Sequence, residues 1–148
     1  MGLACGACLP SLAGCLQDSG KDEAPAQPDT VPTFHSVEVP LDLGDPRYAI
    51  LNNADGALRT VVKAENSEFT VILARPSDRN ILAFSASCPH AGCTVDVPSG
   101  PEIRCPCHGS RFSLDGNVLQ GPASSPLSTI PLIVDGNKAV LRFRLLNI

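Results

Sequence analysis

The chain predicts an all-β fold, a small antiparallel β-sandwich or barrel with a loop-rich subdomain at about residues 85–127 inserted between strands. Three features of the sequence carry this. Short apolar runs alternate with polar positions at close intervals. Clusters of Pro, Gly, Asn and Asp separate those runs. No segment sustains a helical hydrophobic period, and there is no internal repeat.

The elements follow in order from Phe34. Val37-Glu38-Val39-Pro40-Leu41 alternates as a first strand. Tyr48–Leu51, Leu58–Val62 and Phe69–Leu73 read as further strands, with turn clusters at Asn52–Gly56 and Pro76–Asn80. Ile81-Leu82-Ala83-Phe84 is another strand, leading into the subdomain. Asp115-Gly116-Asn117 and Asp135-Gly136-Asn137 each mark a hairpin. The last hairpin pairs Ile130–Val134 with Ala139–Leu145.

Composition bounds the function. The 148 residues make about one domain. They are 43% hydrophobic and 4% aromatic with no Trp, so the core must be aliphatic. A net charge of −4 without a basic patch argues against nucleic acid as a partner. A mildly acidic protein can instead dock on a basic partner.

Residues 1–17 form an apolar leader without charge, in which Leu12-Ala13-Gly14-Cys15 resembles a bacterial lipobox with Cys15 as the lipidated residue. The leader lacks the Lys or Arg that opens a signal peptide. It is short and interrupted for a membrane span. Lipid-anchored export, a truncated transmembrane anchor and a bare tail all stay open. Cys5 and Cys8 form a C-x-x-C that composition alone explains, and Gly6 stands where myristoylation expects Ser or Thr. Residues 18–33 are polar and Pro-rich, a solvated linker. The folded domain is expected over 34–148.

Two segments carry the chemistry. Cys88-Pro89-His90-Ala91-Gly92-Cys93 reads C-x-H-x-G-C, and Cys105-Pro106-Cys107-His108-Gly109-Ser110 reads C-P-C-H-G-S. Each supplies one thiolate, one imidazole and one further cysteine. That stoichiometry suits a two-iron cluster with sulfur ligands, Cys88 and Cys105, on one iron and nitrogen ligands, His90 and His108, on the other. Two imidazoles in place of two thiolates raise the reduction potential. Gly92 and Gly109 permit tight loops, while Pro89 and Pro106 fix φ, leaving other amides to point at sulfur. A structural zinc site in a binding module without redox role is the competing reading, since short-spaced Cys and His also bind zinc. It leaves Cys93 and Cys107 unexplained.

Over about residues 84–127 the chain resembles the Rieske iron–sulfur proteins, specifically those of quinol-oxidising cytochrome bc complexes. The resemblance implies the Rieske fold, with 85–127 as its cluster-binding subdomain, and one [2Fe-2S] cluster per chain. It implies Cys88, His90, Cys105 and His108 as ligands, a disulfide between Cys93 and Cys107, and a hydrogen bond from Ser110 to a bridging sulfide. Gly121–Leu127 is similar to the proline-containing loop that covers the cluster. The family commonly has a tyrosine where this chain has Phe112, which implies a somewhat lower potential. Phenylalanine there is similar to the small subunits of arsenite oxidase. Leucine is common at the position of Ala91, and the smaller side chain opens the histidine edge.

The function implied is one-electron transfer as a subunit of a quinol-oxidising complex, with cytochrome b and cytochrome c types as partners and quinol as reductant. The alternatives are an exported subunit serving a molybdenum oxidoreductase, or a free-standing carrier. In each case the domain sits outside the cytoplasm of a bacterium, attached to the membrane through its N-terminus. A Rieske oxygenase fits poorly: its second iron needs two histidines and a carboxylate, and only His35 remains.

Overall fold

A computed structural model of the protein describes residues 33–146 apart from 78–79 and 98–99. All of them belong to the unit Pro32–Ile148. The leader at 1–17, the lipobox cysteine Cys15 and the linker up to residue 32 lie outside the described residues.

Nine strands and one 3-10 helix follow in chain order: β1 (Phe34–Asp42), the helix (Pro46–Asn52), β2 (Gly56–Ala64), β3 (Ser67–Arg75), β4 (Leu82–Ser85), β5 (Glu102–Arg104), β6 (Arg111–Ser113), β7 (Val118–Gln120), β8 (Leu132–Asp135) and β9 (Lys138–Leu146). They form three antiparallel sheets of three strands, ordered β1-β9-β8, β2-β3-β4 and β5-β6-β7. The expected all-β antiparallel fold is present, as layered sheets rather than a closed barrel among the described residues. β1 is an edge strand, where Pro40 removes no ladder hydrogen bond that the sheet needs.

Two cores share one strand. Val71 to Ala74 of β3 are all fully buried, although alternate residues of a strand point to opposite faces. Val71 and Leu73 join Val39, Leu41, Val62 and Leu141 between the first two sheets. Ile72 and Ala74 face the other way, to Phe84, Val95, Ile103 and Phe112 around the third sheet. β4 divides likewise, with Ala83 in the first core and Phe84 in the second. A strand buried on both faces reads as an unbroken apolar run, and Val71-Ile72-Leu73-Ala74 is one. Phe69 and Phe143 stack across the first core at 4.6 Å.

One expected strand is a helix. Tyr48–Leu51 lies in the 3-10 segment, opened by Pro46 in the first turn and by Asp45 Oδ1, which accepts from the Arg47 amide at 3.0 Å. A 3-10 helix aligns residues three apart, so Tyr48 and Leu51 enter the core together, 4% and 2% exposed. Over four residues that spacing is not separable from a strand's. β5 was not expected, because three residues are too few to display alternation.

Candidate metal centre

The two cysteine–histidine segments fold as conformational twins. In the first, the Cys88 amide donates to the Cys93 carbonyl at 2.8 Å and the Gly92 amide to the Cys88 carbonyl at 2.8 Å. In the second, the Cys105 amide donates to the Ser110 carbonyl at 2.8 Å and the Gly109 amide to the Cys105 carbonyl at 3.0 Å. Gly92 and Gly109 take φ of +72° and +78°, left-handed backbone that glycine adopts without strain. The first loop leaves β4 through Ala86, whose carbonyl accepts from Val95 at 2.8 Å, and the second bridges β5 and β6.

The loops sort their side chains by depth. Cys88 and Cys105 are each 2% exposed and carry free thiols. His90 and His108 are exposed, their rings edge to face with centroids 4.8 Å apart. Cys93 and Cys107 are joined by a disulfide that ties loop to loop. Burial pushes the Cys88 thiol up, and the neighbouring Cys105 adds to this. The backbone amides of His90 and Ala91 act the other way, because they point at the Cys88 sulfur and favour its thiolate. The sulfurs of Cys93, Cys105 and Cys107 lie within 4.8 Å of one another. That closeness reflects the disulfide, whose oxidised sulfurs are poor metal ligands, rather than a second metal site.

A profile of the Rieske [2Fe-2S] domain matches residues 38–131, more than half of the chain. The chain belongs to the Rieske family. The cytochrome b6-f complex iron-sulfur subunit of Synechococcus sp. (strain JA-3-3Ab) is 41% identical over 95 residues, covering 64% of this chain and 42% of that protein. The cytochrome b6-f complex iron-sulfur subunit 1 of Synechocystis sp. is 35% identical over 95 residues, covering 62% of this chain and 53% of that protein. The chain thus spans about half or less of these curated relatives. A crystal structure of naphthalene 1,2-dioxygenase with phenanthrene superposes with a TM-score of 0.54 over 72% of this chain and 25% of that one. At 17% identity that likeness is one of fold.

The domain implies a [2Fe-2S] cluster, and the donor set fits one. With Cys93 and Cys107 consumed by the disulfide, two buried thiols and two exposed imidazoles remain on matching loops. The segment Gly121–Leu127 packs back through Ala123 and Leu127, both in the second core. Ser110 is fully buried and its Oγ accepts the Ala123 amide at 3.0 Å. A hydroxyl that accepts there still has its own proton to donate. Phe112 is also fully buried, as a core side chain.

Arg111 reads from the sequence as a solvated side chain, and its pairing with Glu102 escaped that reading. Glu102 in β5 and Arg111 in β6 form a two-point pair at the root of the second loop, with Arg111 Nε donating to Glu102 Oε2 at 2.7 Å. Glu102 faces Ser113 in the ladder, so Arg111 is its diagonal neighbour. Recognising β5 as a strand is the signal that finds this pair. His35 lies apart, with Nε2 3.1 Å from Glu65 Oε2, as a surface residue. Tyr48 is in the first core.

Proposed function

We propose that this chain passes single electrons as the iron–sulfur subunit of a quinol-oxidising cytochrome complex, through a cluster held by Cys88, Cys105, His90 and His108. The observation that carries the electron-transfer reading is the depth difference between buried thiols and exposed, adjacent imidazoles. When bound, the cluster supplies one-electron chemistry at a potential lifted by nitrogen ligation. Cys88 and Cys105 would hold the inner iron, and His90 and His108 the outer one. The apolar packing of Ile103, Phe112 and Leu127 excludes water from the sulfur side. The imidazole edges are left as the route to a partner. The Ser110 hydroxyl is oriented by the Ala123 amide so that its proton can point toward a bridging sulfide. Ala91 is exposed and small, and leaves the His90 edge open.

Two relatives' role as cytochrome b6-f complex iron-sulfur subunits supports the complex type. The Cys93–Cys107 disulfide supports an oxidising compartment outside the cytoplasm. Membrane attachment through the N-terminus, with Cys15 as a lipid anchor, belongs to the same proposal. Among the described residues no helix is long and apolar enough to cross a membrane. Phe112, which offers no hydroxyl, favours a second reading: an exported subunit for a molybdenum oxidoreductase, or a free-standing carrier.

EPR with redox titration of the purified chain tests both. A reduced-state mixed-ligand signal and a midpoint near the upper end of the Rieske range, about +300 mV, with sensitivity to quinol-site inhibitors, selects the quinol-oxidising complex. A mixed-ligand signal at lower potential without inhibitor sensitivity selects the second reading. A colourless, zinc-containing protein without labile sulfide overturns both.

A further inference from the structure

Beside the second loop lies an open cleft of about 480 Å³, walled by Arg104, Arg111, Gln120 and Asp96 and backed by Cys105 and Gly109. Its charges are unequally matched. Arg111 is engaged through Nε and Nη2 by Glu102, and its Nη1 reaches Gln120 Oε1 at 3.4 Å. Asp96 faces Arg59 at 3.6 Å. Among the described residues Arg104 has only a 3.5 Å ion-pair contact, to the Glu102 carboxylate that Arg111 already holds, and 56% of its side chain is exposed. Three guanidiniums, of Arg59, Arg104 and Arg111, thus meet two carboxylates, of Asp96 and Glu102. The local excess is positive in a chain whose net charge is −4.

The surface next to this cleft is of another kind. Residues 88–93, 105–110 and 121–127 include no Asp, Glu, Lys or Arg. The exposed His90 and His108 therefore sit in a neutral patch built of small and proline residues, flanked by a cationic cleft. Protein interfaces are organised in the same way: charge is depleted at the centre, and charges at the rim govern encounter and orientation.

We propose that the cleft is the ionic half of a docking face, in which Arg104 receives a carboxylate from an acidic segment of the redox partner. The neutral loops then make the close contact through which the electron leaves. The proposal rests on the electron-transfer reading above. A guanidinium suits this task because its planar fork binds a carboxylate at two points. The local charge reverses what net charge alone suggests: the face around the histidines selects an acidic partner, not a basic one.

The test uses the full chain, loaded and reduced, with two one-electron oxidants of opposite charge, anionic hexacyanoferrate(III) and cationic tris(phenanthroline)cobalt(III). Each accepts one electron, with no bond made or broken. A cationic docking site makes the hexacyanoferrate rate fall about threefold or more as salt is raised from low to molar levels, and makes the cobalt rate rise. Steering by net charge gives the opposite slopes, and that result overturns the proposal.

Arg104→Gln abolishes the fall, whereas Arg142→Gln, which removes the same charge from β9, retains it. Equal behaviour of the two variants overturns the proposal. If Arg104→Gln does not fold, the two wild-type slopes still decide. A chain that loads no cluster overturns this proposal together with the reading beneath it. A loaded chain that transfers electrons with the wrong slopes overturns the docking proposal alone.

Discussion

Ser110 Oγ accepts the backbone N–H of Ala123 at 3.0 Å, so one hydroxyl of the second cysteine–histidine loop fastens the segment Gly121–Leu127 to it. Both residues are buried, at 0% and 4% exposure. Ser110→Ala leaves the Ala123 amide buried without a partner, which costs about 1–3 kcal/mol. Under the proposed ligation it also removes a proton donor beside the cluster. Urea denaturation is expected to report the lost stability, and redox titration a lower midpoint. A variant as stable as the wild type, with its midpoint unchanged, would mean that the hydroxyl serves neither the loop nor the cluster.

The disulfide closes a separation of 14 residues between Cys93 and Cys107. A cross-link over a loop of that size stabilises by about 3 kcal/mol, mainly by restricting the unfolded chain. Replacing both cysteines by alanine is expected to cost that much and to hasten cluster loss, because nothing else covalent joins the two loops. Visible absorbance during heating follows the loss. Equal lifetimes for variant and wild type would show that packing alone keeps the loops together.

Glu102 should make stability pH-dependent. Hydrogen bonds from Arg111 hold its carboxyl below the usual carboxylate range. A carboxyl whose pKa falls on folding stabilises the native state above its unfolded pKa, and that contribution fades as pH drops through the folded value. The wild type is therefore expected to exceed Glu102→Gln in stability at neutral pH and to converge with it below about pH 4. The pair is partly solvated, so the effect is modest. Urea midpoints measured from neutral to acid pH check it, and a gap that stays constant refutes it.

The same tripeptide, Asp-Gly-Asn, makes two turns with different tolerance. Gly116 and Gly136 have φ of +81° and +57°. A Cβ on Gly116 comes within 2.6 Å of the buried Phe84 ring, whereas one on Gly136 meets nothing within 4 Å. Gly136→Ala is expected to cost about 1–2 kcal/mol for the left-handed backbone alone. Gly116→Ala adds about 1–3 kcal/mol of overpacking. Thermal unfolding of the two variants gives the ranking, and equal costs would show that Phe84 moves aside freely.

Those turns mark how far the sequence could be read. Both were legible from local chemistry, but their unequal tolerance depends on Phe84, remote in the chain. β1 and β9 were legible because one face of each is buried and period two survives, and β3 because burial on both faces leaves an unbroken apolar run. The helix at Tyr48–Leu51 was misread because its two inward residues are spaced three apart over too short a run. The loops at 88–93 and 105–110 were plain because their tight turns and cross-link are written in adjacent Cys, Pro and Gly. The Ser110–Ala123 tether and the Glu102–Arg111 pair were not, since each joins residues that only the fold brings together. The cleft beside Arg104 is likewise a product of pairing, with Asp96 and Arg104 meeting as an isolated bridge.

Val71 to Ala74 have one further implication. These four residues plug the interiors on both sides of the same strand. Melting either half strips two of them of their neighbours and loosens the wall of the other. The two lobes should accordingly unfold in a single step, and metal captured by the cysteine–histidine loops should be felt as rigidity at the opposite end.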